Sequence, residues 1–254
     1  MSAPLPDGIP LTGQIPDLPP LQPVLTTPSQ LQVQGFTAMG EDALAWSERL
    51  REAHPATGHW PILMDAETPD YLAHSRPHPN ALERATTLDG KALLVAYGEQ
   101  RMADYGPELS AETIAELRGK GEWPTDPRRP GFSLPFDWAG RPAQVTVALI
   151  PAAASWQVPT VLQYSGWNDY PPPSEHAAIL RYWHGRYGAD LVALTGKTTE
   201  FAVTRPPLTR ADALALAWEY SVYNDGYYDL YGAETLTELA AGLINAPTWL
   251  AWWD

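Results

Sequence analysis

Asp190-Leu191-Val192-Ala193-Leu194-Thr195, Gly196-Lys197 and Thr199-Glu200-Phe201-Ala202-Val203-Thr204 read as two strands folded back across a tight turn. Each run is apolar and rich in β-branched or aromatic residues, and a glycine sits between them, which is the signature of a β-hairpin. Helices flank it. Upstream, Ser174 is positioned to cap a helix over 175–187 that Gly188 ends. Downstream, Arg205-Pro206-Pro207 breaks the second strand, and Thr209 with Asp212 three residues on resembles a capping box opening a helix to Tyr223. Thr235 with Glu238 repeats the signal for a helix to Ile244, and Thr248 to Trp253 reads as a closing strand. Helices interleave with strands, one pair of which is antiparallel. The expected class is therefore α+β (mixed α/β), with a mixed or mostly antiparallel sheet and flanking helices.

The pattern extends towards the N-terminus. Gln144-Val145-Thr146-Val147-Ala148-Leu149-Ile150 alternates as a strand does, and 158–164 is expected to be a second strand. Asp126-Pro127-Arg128-Arg129-Pro130 lies in a proline-rich loop over 124–135 and marks a seam. Before it, residues 40–51 read as an amphipathic helix that opens with acids and stops before Pro55. Trp60-Pro61-Ile62-Leu63-Met64 reads as a strand after a Gly58 turn, 65–80 as a polar loop, and 81–86 as a helix. Residues 92–97 suit a strand or a short helix, and Ser110 can cap a helix over 111–118. The first 30 residues, with Pro19-Pro20-Leu21-Gln22-Pro23, cannot form a helix interior and read as a Pro-rich arm, extended or disordered. The expected organisation is this arm (1–30), an N-terminal α/β region (31–135) and a C-terminal domain (136–254).

Bulk composition excludes several functions. The chain has 254 residues, 44% of them hydrophobic, and a net charge of −14. An acidic protein is ill suited to neutralising nucleic-acid phosphates or docking on anionic lipid, and it favours basic partners. There is no cysteine, so disulfides, thiolate catalysis and thiolate metal sites are ruled out. No stretch reaches the length of a membrane span, and the first residues lack the pattern of a signal peptide, so a soluble cytoplasmic protein is expected.

Seven of the eleven tryptophans and nine of the twelve tyrosines lie from Trp156 onward. Within that stretch run Trp167-Asn168-Asp169-Tyr170-Pro171-Pro172-Pro173, then His176, then Arg181-Tyr182-Trp183-His184-Gly185-Arg186-Tyr187-Gly188-Ala189-Asp190-Leu191-Val192. With Arg205-Pro206-Pro207, the Ala-Leu-rich helix after it and the closing Trp252-Trp253-Asp254, this segment resembles a bacterial family filed as domain of unknown function 4253, over about residues 144–254. Ala43-Leu44-Ala45-Trp46 and Thr57-Gly58-His59-Trp60-Pro61 resemble the N-terminal part of longer members. Ala251 stands where the family is expected to carry Phe. The resemblance implies a domain boundary and no transferable activity.

Asp169, in a turn, and His176, in the first turn of the next helix, form the leading polar pair, since a carboxylate that orients an imidazole supports a general base. The competing reading makes Asp169 a turn cap and His176 a surface residue. Asp254 is a further carboxylate candidate. His176 and His184 are eight residues apart on one helix, about 12 Å along the axis, too far to share a metal. No metal or cofactor is expected. Asp225 and Asp229 flank Tyr227-Tyr228 in a loop that suits sugar contacts or plain solvation. Ser165-Gly166 is no nucleophile elbow, because Gln163-Tyr164 precedes it. Thr195-Gly196-Lys197-Thr198 lacks the first glycine of a P-loop and lies in a hairpin.

The expected function is a non-catalytic binding or interaction module, of an immunity-like or accessory kind. It would take a basic protein partner on an acidic surface built from Trp167, Asn168, Asp169, Tyr170, Trp183, Tyr227, Tyr228, Asp225 and Asp229. The alternatives are a hydrolase-like enzyme using Asp169, His176 and either Asp225 or Asp254, and a small-molecule sensor with a pocket walled by Trp167, Trp183 and Tyr182.

Overall fold

In a computed structural model of the chain, residues 15–105, 122–165, 171–224 and 231–253 are described. In chain order they form β1 (Gln22–Thr26), β2 (Gln32–Met39), α1 (Gly40–Thr57), β3 (His59–Met64), α2 (Thr68–Ala73), α3 (Ala81–Thr87) and α4 (Gly90–Tyr105). There follow β4 (Gln144–Pro151), α5 (Val158–Leu162), α6 (Pro173–Tyr187), β5 (Ala189–Leu194), β6 (Thr198–Val203), α7 (Arg210–Tyr223), α8 (Leu236–Leu243) and β7 (Thr248–Trp252). The seven strands make one mixed sheet in the order β1-β2-β4-β3-β5-β6-β7. Only β3 and β5 run parallel, meeting at Leu63 and Ala193, while every other neighbouring pair is antiparallel. The fold is α+β.

Alternation along the strands sends side chains to two cores. Ile62, Ile150, Leu191, Phe201 and Trp249 face the larger one, under α6, α7 and α8. Phe36, Leu63, Val147 and Val192 face the smaller one, which α1 covers together with Ile15, Phe132 and Leu134 from flanking segments. The Pro-rich arm contributes β1 as an edge strand, and Arg49 donates to the Pro16 carbonyl at 2.8 Å.

Several local expectations hold. The 190–204 hairpin forms, the closing strand pairs with β6, and 92–97 lies inside the helix α4. Thr209 accepts from the Asp212 amide, and Thr235 with Glu238 makes the complete reciprocal box. Gly188 ends α6 at φ 61°, where a Cβ would lie 2.0 Å from Thr204 Oγ1, so any side chain there would be strained and Thr204 would have to move.

Four expectations are corrected. Residues 158–162 are a helix rather than a strand: Pro159 sits in its first turn, where the missing amide costs nothing, and a short apolar run looks alike in either state. The loop expected over 65–80 contains α2, because Asp65 Oδ1 accepts from the amides of Glu67 and Thr68 and so opens a helix with Pro69 in its first turn. Helix α1 runs through Pro55 to Thr57, its end closed by the Gly58 amide donating to the His54 carbonyl at 2.8 Å. Ser174 does not cap α6. Pro173 opens that helix, its fixed φ already helical, and Ser174 is buried in the first turn. The helix expected over 111–118 lies outside the described residues.

Candidate functional site

The aromatic residues of the C-terminal segment build the larger core. Trp183 has no exposed surface: its ring stacks on Tyr220 at 5.6 Å and meets Tyr223 and Trp249 edge-on at 4.9 and 6.1 Å. Its indole N–H donates to Glu219 Oε2 at 3.1 Å, and the Tyr182 hydroxyl donates to Glu219 Oε1 at 2.9 Å. Burial raises the Glu219 pKa, and those two donors pull it back. Trp183 was expected on a binding surface; it is core, because an indole whose polar edge is satisfied inside gains most from full burial.

His176 is likewise enclosed. It lies in the first turn of α6, as expected, but has no exposed surface. Its Nδ1 is 2.8 Å from the Tyr223 hydroxyl, and the rings of Tyr164, Tyr223 and Trp253 surround it at 5.1, 5.6 and 5.5 Å. Burial lowers its pKa to about 3, so the ring is neutral at pH 7. An imidazole walled by three aromatic rings cannot reach solvent as a surface base. Trp167, Asn168, Asp169, Tyr170, Asp225, Tyr227, Tyr228, Asp229 and Asp254 lie outside the described residues.

An Asp–His pair does form, from different residues. His184 Nδ1 lies 2.9 Å from Asp190 Oδ1, which also accepts from Ser155 Oγ at 2.6 Å. Asp190 is the second residue of β5, His184 is in the last turn of α6, and the imidazole is partly exposed. The carboxylate therefore orients this ring. Ser155 bonds the same carboxylate oxygen, which makes it a support for Asp190 and not a nucleophile.

A second polar cluster stands at the sheet end where β3 and β5 finish. Tyr71, on α2, donates from its hydroxyl to the Ser165 carbonyl at 2.8 Å. His78 Nε2 lies 3.2 Å from Ser165 Oγ, and the His78 amide donates to Gln163 Oε1 at 2.5 Å. The same end of the sheet receives the carboxyl end of β2, since Met39 pairs with Gln144 at the start of β4, as Met64 pairs with Thr146.

Next to that register position projects a tight turn with Trp138, which is 95% exposed. The turn is locked. Asp137 Oδ1 accepts from the amides of Ala139 and Arg141 at 2.9 Å, and Oδ2 accepts from Arg141 Nε at 2.8 Å. The Asp137 amide donates to the Arg141 carbonyl, and Gly140, at φ 74°, donates to the Asp137 carbonyl. The Arg141 bonds hold the Asp137 carboxyl below its ordinary pKa. Behind the turn, buried Glu200 of β6 accepts from Ser133 Oγ at 2.5 Å and from the Leu134 amide at 2.9 Å, pinning the incoming segment to the sheet. Burial raises the Glu200 pKa and these donors oppose the rise. The Gly40 amide donates to the Ala143 carbonyl at 3.0 Å, which sets the start of α1 beside the turn. Met39, 47% exposed, and the exposed acids Glu41 and Asp42 therefore neighbour the Trp138 segment. Sequence reading passed over Trp138 because it precedes the aromatic-dense stretch from Trp156 onward. Asp137 followed by Gly140 was the one local signal of its turn.

Among the described residues, no three His, Asp or Glu side chains gather as metal ligands, and no helix is long and apolar enough to cross a membrane. Residues 146–254 match the family model described as Domain of unknown function (DUF4253), so the similarity begins inside β4 and takes in everything from α5 to β7. No curated protein and no solved structure matches the chain.

Proposed function

We propose that the protein is an interaction module that takes a basic protein partner on the sheet end carrying Trp138. The observation that supports this reading is the 95% exposure of Trp138 on a turn closed by its own hydrogen bonds. Exposing an indole costs hydrophobic free energy, and a rigid turn removes the conformational entropy that docking would otherwise cost. Tryptophan is also among the residues most enriched at binding hot spots. Met39 extends the apolar contact, while Glu41 and Asp42, on a chain of net charge −14, favour a cationic partner.

The experiment is calorimetric titration with a synthetic peptide of alternating lysine and leucine, with polylysine as the purely electrostatic control. The expected outcome is that Trp138→Ala weakens binding of the lysine–leucine peptide by about 2 kcal/mol, roughly thirtyfold, while polylysine binding is unchanged. Equal affinity of the lysine–leucine peptide for both proteins would sink the reading.

A further inference from the structure

Parallel neighbours in a sheet tend to carry ligands beyond their carboxyl ends. The one parallel pair here, β3 and β5, ends beneath a cluster that the docking reading does not use. From β3 the chain enters α2, whose Tyr71 hydroxyl fixes the Ser165 carbonyl at 2.8 Å. From β5 it turns at Gly196, where a Cβ would lie 3.4 Å from the Tyr71 ring. His78 places Nε2 3.2 Å from Ser165 Oγ.

Both members of that Ser–His contact are held from behind. Gln163 closes α5 in the left-handed conformation at φ 57° and is buried. Its Oε1 accepts from the His78 amide and its Nε2 donates to the Thr160 carbonyl, both at 2.5 Å. One side chain thus ties the His78 loop to the helix end that delivers Ser165. Ser165 and His78 are each half-buried, so both side chains keep contact with solvent. With Ser165 donating to Nε2, the ring proton belongs on Nδ1, which is the form a general base needs. Partial burial, then the charges of Arg84 and Arg76, lower the His78 pKa, so the ring is neutral and able to accept a proton at pH 7. Arg76 and Arg84 are themselves exposed and make a local positive region on a chain of net charge −14.

We propose that Ser165 and His78 are a nucleophile–base pair that hydrolyses carboxylic esters bearing an anionic group. Ser165 Oγ bonds to the acyl carbon as its proton passes to His78 Nε2. The ester C–O bond breaks, and His78 returns the proton to the departing alkoxide. Water then attacks the acyl-serine, giving its proton to Nε2. The C–Oγ bond breaks, Ser165 recovers the proton, and the acid leaves. Arg84 and Arg76 attract the substrate's charge. The sequence alone discards Ser165, because no elbow glycine precedes it and its partner is distant in the chain.

The test treats the full chain with an alkyl fluorophosphonate and locates the adduct by peptide mass. It also follows 4-nitrophenol release from 4-nitrophenyl hemisuccinate and from 4-nitrophenyl acetate. Labelling is expected at Ser165, with His78→Gln slowing it about a hundredfold. Hemisuccinate hydrolysis should open with a burst that Ser165→Ala abolishes. Arg76→Ala with Arg84→Ala should slow the hemisuccinate about tenfold more than the acetate. An unlabelled Ser165, or equal labelling rates with and without His78 in proteins of equal melting temperature, overturns the pair. If His78→Gln melts early, His78→Asn and the pH profile of labelling take its place. That profile should rise through a midpoint below 6.5, and a flat one counts against the base. Equal effects of the arginine changes on both esters overturn the anionic preference. Trp138→Ala should leave labelling untouched, so this pair and the docking reading fail separately.

Discussion

Among the described tryptophans, Trp183 and Trp138 mark the two extremes of solvent access. One has no exposed surface and spends its N–H on Glu219, while the other is 95% exposed on a hydrogen-bonded turn. Trp183 belongs to a crowd with Tyr220, Tyr223, Trp249 and Trp253, whereas Trp138 stands outside that cluster, before the aromatic-dense stretch that begins at Trp156. The difference teaches that aromatic density along a chain reports packing. A large ring is favourable in company because neighbouring rings remove it from water, and a solitary one needs some other reason to face solvent.

The contrast predicts a graded set of effects. Trp183→Ala should cost about 3–5 kcal/mol, because it empties the centre of the larger core and leaves Glu219 Oε2 without its indole donor. Urea denaturation followed by circular dichroism would show this, and a loss under 1 kcal/mol would place Trp183 outside the true core. His176 should make that core sensitive to acid. Its folded pKa is about 3 against an ordinary 6.5, so below pH 6.5 the unfolded chain binds a proton that the folded one refuses. Stability is complete above pH 6.5 and falls as pH drops towards 3, with about 2 kcal/mol gone at pH 5. His176→Gln should flatten that stretch of the stability–pH curve, and an unchanged slope would mean that the ring titrates normally in the folded state.

Smaller effects belong to the periphery. Thr235→Ala removes the acceptor for the Glu238 amide and should cost about 1 kcal/mol, read as a shift in urea midpoint at constant slope. Trp138→Ala should change stability by less than about 0.5 kcal/mol, since little of the ring is buried. A larger loss would show that Trp138 packs on the domain in solution, and the comparison with Trp183 would collapse.

What could be read from the sequence was local. The 190–204 hairpin, β4, β7 and the Thr235 capping box follow from alternation and from side chains acting over three or four residues. Val158 to Leu162 misled because the placement of Pro159, which fits a helix start, carries more information than five apolar letters. His176 was correctly placed in a first turn, yet its burial depends on Tyr164, Tyr223 and Trp253, which only the tertiary fold brings around it. The Asp–His pair was sought between Asp169 and His176, while the described geometry offers Asp190 with His184, six residues apart across a helix end. Ser165 and His78 meet between the segment after α2 and the segment after α5, a contact that no sequence spacing signals.

The position of β4 bears on how the chain is made. β2 and β3 leave the ribosome early and are not neighbours, for β4 lies between them and pairs with both. At about 5–20 residues added per second, the stretch from Met64 to Gln144 keeps both strands waiting for seconds with their inner backbone edges unpaired. The nascent chain is therefore most vulnerable to misassembly and to proteolysis during that interval, and the arrival of β4 is the event that closes it.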